Sequence, residues 1–305
     1  MKRVIYSKEL KLTNTCIAIG KFDGIHKGHS IIIDWLKNSK DKGYTSVIIT
    51  FQKVDKGIFN VDNHKFILTD EEKYKIYEEK GIDYVIECPI TEELISTDKE
   101  DFLREILIEQ FGMKQIVCGS DFRFGYKREG DVNYLLEEAD RYGYLVKVFD
   151  KLQENSAIIS STRIRHLIEE GNVEEANKLL NHPYRIKGKV IHGNEIGRTL
   201  NYPTANVVSE VDKILPAKGV YFTKTYYNGK LYDSITNVGN RPTVVDDNKI
   251  VIETHILDFE GEIYDEYIEI LFYMYHRKEQ KFSSCTELAE NLKKDAVIRR
   301  KYQFA

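Results

Sequence analysis

The order of predicted strands and helices constrains the fold of this chain most strongly, because that order changes near residue 182. Before that point short β-rich runs alternate with helical ones, beginning with CIAIG, HSIIIDWLKNSKDKG and YTSVIITF. Such alternation predicts a parallel, doubly wound sheet with helices on its faces. From Pro183 onward the chain is strand-rich and glycine-punctuated, which is typical of an antiparallel barrel or sandwich. The sequence therefore predicts an α/β domain over 1–182 and a β domain over 183–305.

Helix-capping signals indicate where some helices begin and end. Next to the change in texture, one short helix is predicted to stop at Gly171 and a second to open at Asn172, with Glu175 three residues on. We interpret this pair of helices as a boundary element. A last helix near the end of the chain opens with Ser284 and Glu287 in capping-box spacing.

Length and charge limit the classes of protein that fit. At 305 residues, with 42% hydrophobic and 31% charged residues, the chain suits two globular domains. A net charge of −4 leaves no basic field for nucleic acid, so small anionic ligands fit better. The sequence shows neither a signal-peptide pattern nor an apolar run of membrane-spanning length, which predicts a cytoplasmic protein without membrane contact.

The four cysteines are widely scattered, at Cys16, Cys88, Cys118 and Cys285. The absence of CxxC spacing argues against both a zinc cage and a disulfide framework. We expect reduced, mostly buried thiols that pack like small apolar side chains.

The stretch GKFDGIHKGH directly follows the predicted strand CIAIG and has the composition of a phosphate site. Its glycines let the backbone approach a polyphosphate, and a helix that starts near Gly28 would direct free N–H groups toward it. His26 and His29 lie three residues apart, so their rings can face the same phosphorus. A plain glycine-rich turn with two exposed histidines is the alternative for HxGH alone. The Phe-Asp-Gly fused in front favours a nucleotide site.

Two further stretches carry polar groups suited to a nucleotide. CGSDFRFGYKREGD follows the predicted strand KQIVCG, and its acid, arginine and two phenylalanines can hold a planar heterocycle. The alternative is a surface loop that Phe122 and Phe124 anchor to the core. IISSTRIR places three hydroxyls before a helix whose first turn carries Arg163 and Arg165, which suits an anion such as pyrophosphate. There a plain N-cap is the alternative, and both readings can hold together.

The β-rich half carries a third group of polar residues. Thr204 and Asn206 are two apart, so on an extended segment both side chains can reach one metal-bound phosphate. The outward face of an edge strand is the alternative. In KIVIETHILDF, alternation places Glu253 with Val251 and His255 on one face. That carboxylate is either solvated or a buried base.

At this point the motifs resemble a known family, the bacterial bifunctional riboflavin kinase/FAD synthetases. The resemblance runs essentially end to end and rests on six motifs in family order, GKFDGIHKGH, GSDFRFG, ISSTRIR, GRTLNYPTAN, TNVGNRPT and IETHILDF. It implies a Rossmann-like nucleotidylyltransferase domain that adenylylates FMN. It also implies a six-stranded β-barrel with a terminal helix that phosphorylates riboflavin. Expected ligands are riboflavin, FMN, FAD, ATP and Mg²⁺, and a weak homo-oligomer is left open.

The resemblance also implies roles for individual residues of the adenylyltransferase. His26 and His29 would stabilise charge on the transferring phosphate, and the flavin or adenine would be held by Asp121, Phe122 and Arg123. The remaining nucleotide-binding residues are Gly20, Phe22, Asp23, Gly24, Gly28, Ser160, Ser161, Thr162 and Arg163.

For the kinase, the resemblance makes Glu253 the general base. It makes Thr204 and Asn206 the ligands of Mg²⁺ and phosphate. Gly193 and Gly197 would shape the phosphate loop, with Arg277 near the flavin.

Two departures from the family pattern bear on these expectations. After YTSVIITF the family usually continues Asp-Pro-His-Pro beside the adenylylation site, whereas this chain reads QKVDKG. The change keeps open the alternative of a riboflavin kinase whose first domain is degenerate. Asn201 stands where the family usually has glycine, and asparagine tolerates left-handed backbone better than most residues. A non-catalytic flavin-binding regulator is a further alternative, although a pure binder needs no base.

Overall fold

A computed structural model describes residues 1–51, 65–192, 204–208, 213–240, 250–280 and 282–303. The chain divides into two compact units, Met1–His64 with Leu68–Ser160, and Lys65–Ile67 with Ser161–Ala305. The two short helices predicted to end at Gly171 and to begin at Asn172 therefore belong to the same unit as the β-rich half. The boundary expected at residue 182 stays a prediction.

A six-stranded parallel sheet forms the centre of the first unit, in the order β1-β4-β3-β2-β5-β8. The first unit also contains two small antiparallel pairs, β6 with β7 and β9 with β10. The strands are β1 Lys2–Ile5, β2 Thr15–Ile19, β3 Thr45–Phe51, β4 Tyr84–Cys88, β5 Met113–Gly119, β6 Arg123–Phe124, β7 Gly130–Asp131, β8 Leu145–Phe149, β9 Gln153–Glu154 and β10 Ala157–Ile158. The predicted parallel, Rossmann-like sheet is confirmed.

The helices of the first unit are α1 Lys27–Ser39, α2 Asp70–Glu79, α3 Glu92–Ser96, α4 Lys99–Asp101, α5 Val132–Glu137 and α6 Ala139–Tyr142. α4 runs on into a π-helical stretch, Phe102–Gln110. Side chains of the central strands are buried on both faces of the sheet, because helices cover both. On one face, for example, Ile48 packs among residues of α1 that include Ile33 and Leu36.

Strand β1 is the one element of the sheet that the sequence pattern did not single out. It pairs in parallel with β4 at the edge, and three of its four residues are exposed. An edge strand with so little burial has no apolar alternation to reveal it.

The second unit contains a closed barrel in which neighbouring strands are antiparallel, in the order β11-β12-β15-β14-β13-β16. The last strand, β16, pairs with both β11 and β13 and so closes it. The elements of the second unit are α7 Ser161–Glu169, α8 Val173–Leu180, β11 Tyr184–Ile191, β12 Ala205–Val208, β13 Gly219–Tyr227, β14 Lys230–Asn240, β15 Ile250–Ile256, β16 Tyr267–Arg277 and α9 Cys285–Lys301. The predicted six-stranded barrel with a terminal helix is confirmed.

A ladder of buried hydroxyls crosses three strands of the barrel, β13, β14 and β15. Thr236 is its centre, because its Oγ1 lies 2.8 Å from that of Thr223 and donates to that of Thr254 at 2.9 Å. All three residues are fully buried. Since side chains alternate along a strand, the residues next to Thr236 and Thr254 face away from this ladder.

Helix ends lie close to the predicted positions. Asn172 accepts a hydrogen bond from the N–H of Glu175, and Ser284 accepts one from the N–H of Glu287, both at 3.2 Å. Gly171, where the first short helix was predicted to stop, has a φ of 82°. Such left-handed backbone suits the glycine that follows a helix.

Three of the four thiols are buried, as expected for small apolar side chains. Cys16, Cys88 and Cys118 are free, whereas the side chain of Cys285 lies outside the part of the chain that the structure describes. Burial raises the pKa of Cys16 to about 11 and those of Cys88 and Cys118 to about 12. These three thiols are therefore uncharged at neutral pH. Within the described ranges, no helix is both long and apolar enough to span a membrane.

Candidate functional site

Two of the predicted motifs leave the same edge of the parallel sheet. β2 ends at Ile19 and leads into GKFDG, and β5 ends at Gly119 and leads into SDFRFG. These strands are parallel neighbours, so their carboxyl ends lie side by side. Ligands of open α/β sheets bind at this edge.

The loop after β2 holds an unusual backbone conformation. Phe22 and Ile25 have positive φ angles of 47° and 40°, and Gly24 between them has 83°. Left-handed backbone is costly for bulky side chains and tends to persist where the surrounding structure holds a functional loop. Here both apolar side chains are anchored by burial, at 5% and 3% exposure. The sequence motif indicated the loop, but its residue types do not predict this strain.

His26 and His29 meet at the start of α1. His26 is the N-cap residue, and its Nδ1 accepts a hydrogen bond from the N–H of His29 at 3.4 Å. The two rings stack with centroids 3.7 Å apart, and the ring of Phe22 meets that of His29 edge-on at 5.2 Å. A Cβ at Gly28 would lie 3.2 Å from the His26 ring, so glycine gives this ring room.

Burial keeps both imidazoles uncharged at neutral pH. It lowers the pKa of His26 to about 4. It is also the main cause that lowers the pKa of His29, with smaller effects from His26 and the charge of Lys73. Because Nδ1 of His26 accepts a hydrogen bond, its proton is on Nε2. Nδ1 of His29 is buried and has no hydrogen-bond partner among the residues that the structure describes. The pair therefore offers neutral hydrogen-bonding groups to a ligand.

The loop after β5 is anchored by its phenylalanines. Phe124 is buried and stacks with half-buried Phe122 at 5.6 Å. Asp121 pairs with Lys151, and Arg123 pairs with Asp131, at 2.8 and 2.7 Å. Anchoring thus accounts for Phe124 without a ligand. The expected role of Asp121, Phe122 and Arg123 in holding a heterocycle stays a prediction.

The segment with three hydroxyls, Ser160 to Thr162, includes the residue at which the chain passes from the first unit to the second. Ser160 is the last residue of the first unit, and Ser161 begins α7 in the second. Thr162 and Arg163 follow in the first turn, where Arg163 lies 3.6 Å from the carboxylate of Glu175. A helix is present as predicted, but it begins at Ser161, so only Ser160 of the three hydroxyls precedes it. The predicted anion site stays a prediction.

In the barrel, strand register brings together three polar residues on adjacent strands. Asn206 on β12 stands opposite Glu253 on β15, which stands opposite Asn237 on β14. All three are half-buried, whereas the residue after Glu253, Thr254, is fully buried. The predicted alternation along this strand is therefore correct. Thr204 lies two residues before Asn206 and is also half-buried.

Asn237 lies in the TNVGNRPT motif but was not assigned a role from the sequence. Its Nδ2 donates to Glu279 at 3.1 Å, and its Oδ1 is buried with no hydrogen-bond partner in the described part of the chain. The pairing of β14 with β15 places Asn237 next to Glu253. The register of two strands cannot be predicted from the pattern of a single sequence, so this neighbour was missed. Strand register places oxygens of Asn206, Glu253 and Asn237 on neighbouring strands, and oxygens of this kind suit a hard cation such as Mg²⁺.

Of the other residues expected at this site, one is held by the last helix and the rest lie outside the described ranges. Arg277 ends β16, and its guanidinium pairs with buried Asp295 of α9 at 2.7 Å. His276 bonds the same carboxylate at 3.0 Å. Arg277 is thus held against the last helix. Gly193, Gly197, Asn201 and the QKVDKG segment fall outside the residues that the structure describes.

Comparison with known proteins matches each half of the chain to a family model. Residues 8–163 match FAD synthetase, and residues 180–303 match riboflavin kinase. Relatives named bifunctional riboflavin kinase/FMN adenylyltransferase are 36% identical in Buchnera aphidicola (95% of this chain, 94% of the relative) and 35% in Listeria monocytogenes (92% and 90%). The Escherichia coli relative of that name is 32% identical, over 94% of this chain and 92% of its own.

A solved structure has the same fold throughout. It is described as a macrolide-efflux protein from Streptococcus pneumoniae, and it matches 99% of each chain with a TM-score of 0.89 at 29% identity. The chain combines a Rossmann-like parallel sheet with a barrel that carries the cluster of Glu253, Asn206 and Asn237. With the two family matches, this places it in the class of two-domain transferases that use nucleotides as substrates. Within that class, the chain belongs to the bifunctional riboflavin kinase/FMN adenylyltransferase family.

Proposed function

We propose that this chain converts riboflavin and ATP to FMN in its barrel, and FMN and ATP to FAD in its α/β domain. The observation that carries the proposal is that each half has both its family match and a polar cluster at the expected motif. Riboflavin, FMN and ATP are the expected small-molecule substrates. Mg²⁺ is the expected cofactor of both reactions.

In the adenylylation step, the FMN phosphate attacks the α-phosphorus of ATP and pyrophosphate leaves. The reaction needs no protein nucleophile, so positioning and charge stabilisation carry the catalysis. The neutral rings of His26 and His29 would bond phosphate oxygens. The Ser160 to Arg163 segment would hold the outer phosphates, and Asp121 and Arg123 would seat the flavin or adenine.

In the kinase step, Glu253 would accept the proton of the ribityl 5′-hydroxyl as that oxygen attacks the γ-phosphorus of ATP and ADP leaves. Thr204 and Asn206 would orient the phosphates, and the oxygen of Asn237 adds a third amide or hydroxyl group at the same place. A Mg²⁺ ion held there would neutralise phosphate charge.

The rest of the kinase site is proposed from the family pattern. Gly193 and Gly197 would shape the phosphate loop. Arg277, fixed by Asp295, would shape the side near the flavin by keeping α9 in place.

Two substitutions test the two-site assignment in one chain. His29→Ala should abolish FAD formation from FMN, because it removes an imidazole that would bond the transferring phosphate. It should leave FMN formation from riboflavin intact, because that reaction takes place in the barrel. Glu253→Gln should stop FMN formation and leave FAD formation intact when FMN is supplied, because it removes only the base. Products are resolved by liquid chromatography with mass detection. Loss of both activities in a folded variant would contradict separate sites.

The unsubstituted chain separates the alternatives. Riboflavin, ATP and Mg²⁺ should yield FMN and then FAD. FMN without FAD would favour a kinase with a degenerate first domain, the alternative raised by QKVDKG. Tight flavin binding without any product would favour the non-catalytic regulator.

A further inference from the structure

Lys73 on α2 is a buried lysine that lies against the loop bearing the histidines, and none of the motifs above includes it. It is 5% exposed. Its Nζ donates to the carbonyl oxygen of Lys21 at 3.3 Å and lies 2.8 Å from Oδ1 of Asp70. A lysine ammonium is strongly hydrated and is seldom buried this far. Its position therefore calls for a reason beyond packing.

Helix α2 holds Lys73 beside the strained loop. Asp23 of the loop accepts a hydrogen bond from the N–H of Leu68, just before the helix. Thr69 and Glu72 form a capping box that sets where α2 begins. One turn later, Lys73 bonds the loop at Lys21. The loop is thus tied to α2 at two points.

The charge of Lys73 complements the histidines. His26 and His29 are neutral at neutral pH, yet charge must build up on the transferring phosphate and the leaving pyrophosphate. The Lys73 ammonium acts electrostatically on His29. Its partner Asp70 has a side chain that is 55% exposed, so water can solvate that carboxylate when the ammonium turns to a ligand.

We propose that Lys73 is a phosphate-binding residue of the adenylyltransferase site, where its ammonium supplies a positive charge beside the loop that leads to His26 and His29. The ligand is the polyphosphate of ATP. This proposal rests on the proposed function of the first domain and adds to it a residue from α2.

Substitution of Lys73 with a matched control on the same helix tests the proposal. Lys73→Met should lower kcat/KM for FAD formation from FMN about 100-fold, the order seen when one charge-stabilising donor is removed. Lys73→Arg should retain part of the activity because it keeps the charge. Lys75→Met, at an exposed position of α2, should leave FAD formation unchanged. Riboflavin kinase activity, measured in the same preparations, should be unchanged in all three variants.

A second measurement tests whether Lys73 acts through its charge or only by supporting the loop. Burial is the main cause that lowers the pKa of His29, and His26 at the start of α1 and the charge of Lys73 on α2 lower it further. Removing the lysine charge should therefore raise the pKa of His29 in an NMR titration, and Lys75→Met should not. The ATP concentration that half-saturates the shift of the His29 signal should rise at least about tenfold in Lys73→Met.

These outcomes separate this proposal from the function on which it rests. If the unsubstituted chain makes no FAD, the proposed adenylylation fails, whereas ATP titration of the His29 signal still tests Lys73. An unchanged half-saturating ATP concentration in folded Lys73→Met, or unchanged FAD formation where the unsubstituted chain makes FAD, would overturn the role of Lys73. Should the methionine variant fail to fold, Lys73→Gln carries the same test with a polar side chain.

Discussion

At the residue scale, the burial of His26 affects stability as well as chemistry. Its pKa falls from an unfolded value near 6.5 to about 4 in the folded protein. Between these values the unfolded chain binds a proton that the folded protein does not, so stability decreases as the pH falls through this window. At pH 4.5 the loss from this one group amounts to about 2 kcal/mol relative to pH 7.

His26→Asn removes the titrating group and keeps a residue that caps helices well. The difference in unfolding free energy between pH 7 and pH 4.5 should therefore be about 2 kcal/mol smaller in this variant. Trp35, the single tryptophan of the chain, lies on α1 and reports on the first unit in urea titrations followed by fluorescence. Equal pH dependence in the variant and the unsubstituted chain would contradict the lowered pKa.

At the element scale, α9 is held to the barrel by neighbouring arginines of very different burial. The side chain of Arg299 is 1% exposed, and its Nη2 donates to the carbonyl oxygen of Thr223 at 3.2 Å and to Asp233 at 2.6 Å. Arg300 is 49% exposed and pairs with the exposed carboxylate of Asp258. Removing the Arg299 side chain therefore leaves the buried carbonyl oxygen of Thr223 without this donor, whereas removing the Arg300 side chain leaves a carboxylate that water solvates.

Arg299→Ala should destabilise the barrel by about 3 kcal/mol, because it leaves a cavity and a buried carbonyl without its donor. Arg300→Ala should cost less than about 1 kcal/mol, because both side chains of its ion pair are exposed to water. Urea unfolding followed by circular dichroism in the tyrosine region gives both values. Similar losses for the two variants would show that burial of Arg299 does not stabilise the docking of α9.

The sequence predicts elements well where a local pattern determines them. Capping residues such as Asn172 and Ser284 act within one turn, so their helix ends could be read directly. Edge strand β1 and the pairing of Asn237 with Glu253 could not, because strand pairing is set by contacts far apart in the chain. The positive φ at Phe22 was equally hidden, since tertiary burial imposes it. Asn237 and Lys73 became candidates only when the fold placed them.

At the scale of the whole molecule, the structure divides the chain at residue 160, whereas the sequence texture changes near residue 182. Helix α8, between these positions, buries Val173, Ala176, Leu179 and Leu180. Its Asn177 also donates to the carbonyl oxygen of Phe272 at 2.8 Å and accepts from the N–H of Tyr184 at 2.7 Å. The helix is therefore part of the second unit's core.

A fragment of residues 161–305 should consequently fold and phosphorylate riboflavin, and a fragment of 183–305 should melt at a lower temperature. Each apolar side chain lost with α8 contributes about 1–3 kcal/mol by its burial, and Phe272 loses its side-chain donor. Both fragments lack residues 65–67, which belong to the second unit, so that omission does not bias the comparison. Circular dichroism melts and a riboflavin kinase assay measure the two effects. Equal melting temperatures would place the functional boundary at residue 182, because α8 would then add nothing to the stability of the barrel.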